Sequence, residues 1–307
     1  MKIFVGIVST EDPNLVETIK DCLKNSLTPE NITFGIALQY ENMPDLSFID
    51  SQCRTILLDK DDDSLGIIGA RRAVRKLHRD EDYYMQINSD TKFAKNWDDL
   101  LIHDLELFKD KKTIISSKLF PIEDKTKSHV VFDLNVFDEE DMLCGVMSED
   151  EEFIKLNSNG KNYFNSLYIS NDFIFARARW IYEMKFPEYH KDSYENVELS
   201  IVSFCNGYTI VSPKSNRRLV FGNPKRTMTV IDTPGMHKDV ARLLIIGKNK
   251  HFDLTQNIKQ VSDFYKAANI SKQYKKSYPL FIGAVAMGEI KYKPYYADQV
   301  NKRLRRA

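Results

Sequence analysis

At 307 residues, of which 42% are hydrophobic, the chain is long enough for one large core or for a domain with an appendage, and its composition excludes a disordered protein. No apolar run approaches the roughly 18 to 20 residues that a membrane helix needs, and Met1-Lys2-Ile3-Phe4-Val5 leads directly into a first core strand. A soluble cytoplasmic protein without a cleaved signal is therefore expected. The formal net charge of +0 hides an asymmetry: residues 213–307 hold 20 Lys+Arg against 6 Asp+Glu, a net of +14, which leaves −14 on residues 1–212.

In chain order, Lys2–Ser9 reads as a β-strand, and Asp12-Pro13, with Glu17 and Asp21, opens an amphipathic helix whose apolar face is Leu15, Ile19, Cys22 and Leu23. Strands follow at Asn31–Gln39 and Arg54–Asp59, then a turn-like Lys60-Asp61-Asp62-Asp63-Ser64 and a helix from about Gly66 to His78. Tyr83–Asn88 is a fourth strand, Trp97–Phe108 a helix, and Thr113–Leu119 and Tyr168–Ala176 further strands. Strands alternating with helices of this length predict an α/β fold with a mainly parallel sheet. Cys22, Cys53, Cys144 and Cys205 are far apart, form no CxxC pair, and read as ordinary thiols in a reducing compartment.

Open α/β sheets bind ligands beyond the carboxyl ends of their strands. That rule gathers Ser9-Thr10, Gln39, Asp59 and Asn88-Ser89-Asp90 at one edge. Asn88-Ser89-Asp90, between the apolar run Tyr83–Ile87 and the returning Phe93 and Trp97, has two readings. It is a plain turn whose side chains satisfy backbone groups, or a strand end holding Mg2+ or Mn2+ through hard oxygen ligands against a diphosphate.

Three blocks favour the second by resemblance. "IFVGIVSTEDPNLVETIKDCL" with "TPENITFGIALQYE", "GIIGARRAVRKLHRDEDYYMQINSDTKFAKNWDDLL" and "YENVELSIVSFCNGYTIVSP" resemble, in matching order over Lys2–Pro213, the cytoplasmic hydroxyproline N-acetylglucosaminyltransferases. More distantly they resemble the mucin-type polypeptide N-acetylgalactosaminyltransferases, with a fainter echo at Val261–Ile270. The resemblance implies a GT-A fold, a UDP-sugar donor, a divalent metal, and transfer with retention of configuration. It places the donor against Val8, Ser9, Thr10 and Gln39, against Gly69 and Arg71 in the helix before the metal motif, and against Asn88, Ser89, Asp90 and Arg226. An arginine fork suits a phosphate, although Arg71 also lies in a cationic run that would be solvated in any helix.

Two departures from the family pattern bear on the metal. The family shows Asp-Ser-His at the strand end where this chain has Asn88-Ser89-Asp90, which moves the carboxylate to the third position and makes Asp90, with Asn88, the expected ligand set. A late His in a Val-Phe-His context is replaced, since Val220-Phe221 runs into Gly222-Asn223. Asn223, His237, or the cations Lys225 and Arg226 are the candidates to fill its place.

The third block aligns Glu195 and Glu198 with the family's acidic residues at a helix start, which bind sugar hydroxyls and face the acceptor. Glutamates there also serve the helix dipole. With no covalent nucleophile in evidence, the expected chemistry is front-face transfer, in which the leaving phosphate oxygen takes the acceptor's proton and Glu195 orients sugar or acceptor.

The expected domains are a catalytic unit over residues 1–226 and a basic extension over 227–307. Residues 123–162, with the acidic runs Asp138-Glu139-Glu140-Asp141 and Ser148–Glu152, read as an inserted solvated loop, with an acceptor-side lid as the alternative. The extension mixes cations with tyrosines in "KQYKKSYP" and "KYKPYYADQVNKRLRRA", a combination that neutralises phosphates and stacks on bases. Lys302, Arg303, Arg305 and Arg306 are the candidate acceptor contacts. The favoured acceptor is a hydroxymethylated base (5-hydroxymethylcytosine) in DNA, as in enzymes that glycosylate phage genomes. A protein hydroxyl of hydroxyproline, Ser or Thr is the alternative, and a degenerate GT-A domain that binds nucleotide or nucleic acid without catalysis is the third reading.

Overall fold

The computed structural model describes residues 1–59, 66–108, 112–119, 129–137, 140–148, 158–159, 163–184, 195–213 and 220–222. The readings made for Asn223, Lys225, Arg226, His237, Lys302, Arg303, Arg305, Arg306 and the basic extension lie outside these residues, as does the side chain of Glu198.

The strands are β1 (Ile3–Thr10), β2 (Ile32–Gln39), β3 (Cys53–Leu57), β4 (Tyr83–Asn88), β5 (Thr91–Phe93), β6 (Thr113–Ser116), β7 (His129–Phe137), β8 (Glu140–Ser148), β9 (Ser158–Asn159), β10 (Tyr163–Ser166), β11 (Phe173–Arg177), β12 (Thr209–Pro213) and β13 (Val220–Gly222). The helices are α1 (Leu15–Asn25), α2 (Gly66–Arg75), α3 (Trp97–Leu107), α4 (Arg179–Glu183) and α5 (Glu195–Cys205). Among the described residues, nine strands form one sheet in the order β3-β2-β1-β4-β11-β6-β12-β10-β9.

The first four strands of that order are mutually parallel, joined through α1 and α2 by crossovers. Beyond β4 the sheet is mixed, because β11 inserts antiparallel between β4 and β6. The parallel pairing expected from the sequence therefore covers the first half, from β3 to β4, and returns where β12 pairs with β6. Of the expected strand Tyr168–Ala176 only Phe173–Ala176 is strand, in β11, and its first five residues belong to the turn between β10 and β11. The residues between them explain the break: the Asp172 N–H bonds the Ser170 hydroxyl at 3.2 Å and the Tyr168 N–H bonds the Ser166 hydroxyl at 3.1 Å, local partners that displace ladder pairing.

The region read as a solvated loop contains the hairpin β7–β8, paired from His129↔Ser148 to Phe137↔Glu140. Its signal was the alternation Val130-Val131-Phe132-Asp133-Leu134-Asn135-Val136, overshadowed by the neighbouring acidic runs. A second small sheet joins β5 to β13, Val220↔Phe93 to Gly222↔Thr91, and brings the chain after the last core strand back to the residues that follow β4.

Helices cover both faces. On one side Leu15, Ile19 and Cys22 of α1 and Trp97, Leu101 and Leu105 of α3 pack on Val5, Ile7, Met85 and Ile87. On the other, Ala70 and Val74 of α2, Trp180 and Ile181 of α4, and Leu199 and Val202 of α5 pack on Phe4 and Tyr84. The two-residue period of β4 sends Tyr83, Met85 and Ile87 into the first layer and Tyr84, Gln86 and Asn88 toward the second. Phe93 and Trp97 return to the first layer, where the Trp97 indole is fully buried and donates to the Cys22 carbonyl at 2.9 Å. Fully burying a side chain of this kind stabilises the fold by about 1.5–3 kcal/mol.

Candidate active site

β1 connects through α1 to β2 on one side and pairs with β4 on the other, so strand order reverses between β1 and β4. The crevice at their carboxyl ends is the switch point of the sheet, the place where open α/β sheets receive ligands.

The structure brings the predicted edge residues together through two residues that sequence reasoning did not single out. Ser9, 1% exposed, shares a 2.6 Å hydrogen bond with the Tyr40 hydroxyl, which donates to the Asp12 carbonyl at 2.8 Å and accepts from the Asp12 N–H at 3.0 Å. The Ser89 hydroxyl in turn donates to the Asp12 carboxylate, and the Thr18 hydroxyl donates to the Ser89 carbonyl at 2.6 Å. A continuous hydrogen-bonded path thus runs from the end of β1, across the end of β2, to the end of β4. Thr10 donates to Gln39 Oε1 at 3.2 Å, and Gln39 Nε2 donates to the Asp59 carbonyl at 3.0 Å, which fixes the outer rim. Burial pushes the Tyr40 hydroxyl above its ordinary pKa despite the Ser9 and Asp12 bonds, so it stays a protonated donor at neutral pH. Val8, Asn88, Ser89 and Asp90 are half-buried around the crevice.

Asn88 is anchored from the neighbouring strand. Its Nδ2 donates to Asp172 Oδ1 at 3.0 Å, and Asp172 Oδ2 accepts from the Leu119 N–H at 3.3 Å.

The second cluster lies under this edge, on the α2–α5 face. Arg71 Nη1 meets Glu195 Oε2 at 2.8 Å, and Arg75 Nη2 meets Glu195 Oε1 at 2.7 Å and Gln86 Oε1 at 2.8 Å. The Glu195 and Arg75 side chains are each 3% exposed and that of Arg71 is 10% exposed. Burial alone would raise the Glu195 pKa, but Arg75 and Arg71 hold it below the ordinary glutamate value, so it is ionised at neutral pH. Arg71 and Glu195, expected to act separately on phosphate and sugar, are partners, with Arg75 as a third member. Gly69 is buried on the same helix, two residues before Arg71. Arg75 was legible in principle, since it follows Arg71 by four residues on one helix face.

A three-layer sheet whose switch point carries this polar crevice has the architecture of a GT-A glycosyltransferase. Solved structures share it. GalNAc-T7 with UDP, GalNAc and Mn2+ aligns at a TM-score of 0.60 and 13% identity, covering 87% of this chain and 55% of that one. S. aureus TarS 1-349 in complex with UDP-GlcNAc aligns at 0.55 and 10% identity, covering 90% and 73%. The chain therefore spans little more than half the length of GalNAc-T7. The family model Glycosyltransferase (GlcNAc) matches residues 43–229, more than half of the sequence. The chain belongs to that family. No curated protein matches it. Among the described residues no helix is long and apolar enough to cross a membrane.

Proposed function

We propose that the protein transfers a sugar from a UDP-sugar to a hydroxyl acceptor, with retention of anomeric configuration. The observation that carries this reading is the hydrogen-bonded crevice linking Ser9, Tyr40, Asp12 and Ser89 at the switch point of a glycosyltransferase-family chain. In this reading Val8, Ser9, Thr10 and Gln39 receive the uridine, and Asn88, Ser89 and Asp90 the diphosphate end.

Asp90 and Asn88 offer hard oxygen donors, the type that suits Mn2+ or Mg2+. Among the described residues no group of three or more His, Cys, Asp or Glu is placed to hold a metal; in this reading the diphosphate of the donor would supply the rest of the ion's oxygen ligands. When bound, such an ion stabilises the charge that develops on the departing diphosphate. Asn223 or His237 would complete the protein ligands.

The bond to Glu195 engages one nitrogen of the Arg71 fork, which leaves Arg71 further donors for a phosphate oxygen. Arg226 would add a second cation. Glu195, kept ionised by its two arginines, is in the state that accepts short hydrogen bonds from sugar hydroxyls. Glu198 stands one turn further along α5 and shares that role. The leaving phosphate oxygen takes the acceptor proton on the same face as departure.

For the acceptor we favour a 5-hydroxymethylated cytosine in DNA, supported by the net +14 of residues 213–307 and by the cluster Lys302, Arg303, Arg305 and Arg306. A protein hydroxyl is the second reading, supported by the likeness of the three sequence blocks to hydroxyproline N-acetylglucosaminyltransferases. The test offers UDP-sugars and Mn2+ to the protein with hydroxymethylated duplex DNA, unmodified DNA, and peptides bearing hydroxyproline, Ser and Thr. Mass spectrometry of nucleosides and peptides reads the outcome. A one-sugar mass increase on the hydroxymethylated base alone supports DNA, and one on a peptide refutes it.

A further inference from the structure

Asn88 puts an amide at the end of β4, two residues before Asp90, and the structure shows what stands beside it. β11 runs antiparallel to β4 with Phe173 opposite Ile87, so the residue before Phe173 comes up alongside the residue after Ile87. Those residues are Asp172 and Asn88, joined at 3.0 Å.

The contact is a donation from Asn88 Nδ2 to Asp172 Oδ1. That settles the orientation of the amide: with nitrogen committed to Asp172, Oδ1 is the end turned from Asp172. Asp172 is itself fixed from two sides, by the Leu119 N–H on its Oδ2 and by its own N–H on the Ser170 hydroxyl.

The geometry points to Asp172 as a positioning residue of the donor site, one that holds the Asn88 amide so that its oxygen acts as a hard ligand beside Asp90. This inference rests on the donor-site reading above. Asp172 acts through Asn88, and its removal frees the amide to rotate. Partners that orient metal ligands in this way typically change metal affinity by about 10- to 100-fold when lost.

The pair also predicts a charge exchange. Asn88→Asp alone sets two carboxylates about 3 Å apart, where like charges oppose each other. Adding Asp172→Asn restores one carboxylate and one amide with their places exchanged, and the carboxylate on β4 then binds the ion directly.

The experiment measures Mn2+ binding to the full chain in saturating UDP, by the loss of the free-Mn2+ electron paramagnetic resonance signal, with urea unfolding midpoints in metal-free buffer as a check on folding. Asp172→Asn is expected to weaken Mn2+ binding at least tenfold with its midpoint near wild type, Asn88→Asp to weaken it comparably, and the double variant to return to within about threefold of wild type. Wild-type affinity in Asp172→Asn, or a double variant as weak as the product of the singles, overturns the role of Asp172 while leaving the donor site in place. A wild-type protein that takes up no Mn2+ with UDP overturns the donor-site reading itself.

Discussion

Replacing Glu195 by glutamine keeps the side chain's shape and removes its charge, which isolates what the buried carboxylate contributes. The wild-type group lies between two guanidinium groups at 2.8 and 2.7 Å, with exposures of 3% for Glu195, 10% for Arg71 and 3% for Arg75. Glutamine has one carbonyl oxygen for two cationic forks, so one arginine faces an amide donor and both lose their counter-charge. Breaking a buried pair from one side costs about 3–5 kcal/mol, a large fraction of the roughly 5–15 kcal/mol that holds a typical protein folded. Urea unfolding at pH 7 reads the loss through Trp97 and Trp180, both fully buried. Replacing Arg75 and Glu195 together by methionine should cost less than Glu195→Gln, because Arg71, at the cluster's edge, can turn to solvent once its partner is gone. A Glu195→Gln protein within about 1 kcal/mol of wild type would refute the buried triad.

Gly35→Ala places a Cβ 2.1 Å from Cζ of the fully buried Phe4 ring, and we expect a loss of about 3 kcal/mol, the upper end of ordinary overpacking, measured as a drop in unfolding midpoint. Tyr40→Phe removes the hydroxyl that bonds Ser9 and both backbone groups of Asp12; it should cost about 1–2 kcal/mol in urea unfolding and weaken UDP binding in titration calorimetry. The Glu195 pKa is depressed below the ordinary 4.5, so its stabilising effect is complete above that value and is lost as pH falls through the lower folded value. Stability measured from pH 6 downward should therefore fall more steeply below 4.5 in wild type than in Glu195→Gln.

The first half of the fold was legible because each element there has a period and a boundary signal. Tyr83–Asn88 was placed to the residue, since its apolar run stops at a polar cluster and α3 follows at Trp97. The second half was harder to read. The expected strand Tyr168–Ala176 began five residues before β11, because the Ser170-Asn171-Asp172 turn interrupts the pattern, and the β7–β8 hairpin was masked by acidic neighbours whose charge says little about backbone pairing. The strand-end rule put Ser9, Thr10, Gln39 and Asn88–Asp90 at one edge, and they do lie at the carboxyl ends of β1, β2 and β4, because a parallel sheet delivers those ends to one side. Tyr40, Asp12 and Asp172 were missed because they act through contacts spanning 28 to 84 residues, which no local pattern encodes. Glu195 was singled out by the resemblance of its block and stands at the start of α5, but its pairing with Arg71 and Arg75 depends on how α2 and α5 meet on the sheet.

The central claim is UDP-sugar-dependent transfer from the crevice between β1 and β4. Its most direct measurement is UDP release from a panel of UDP-sugars in Mn2+, by the wild type and by Asp90→Ala with a verified unfolding midpoint. The account predicts that at least one donor yields UDP with the wild type and that Asp90→Ala lowers that rate by about 100-fold or more, the scale on which removal of an electrostatic stabiliser acts. No UDP from any donor, or an Asp90→Ala rate equal to wild type, would contradict it.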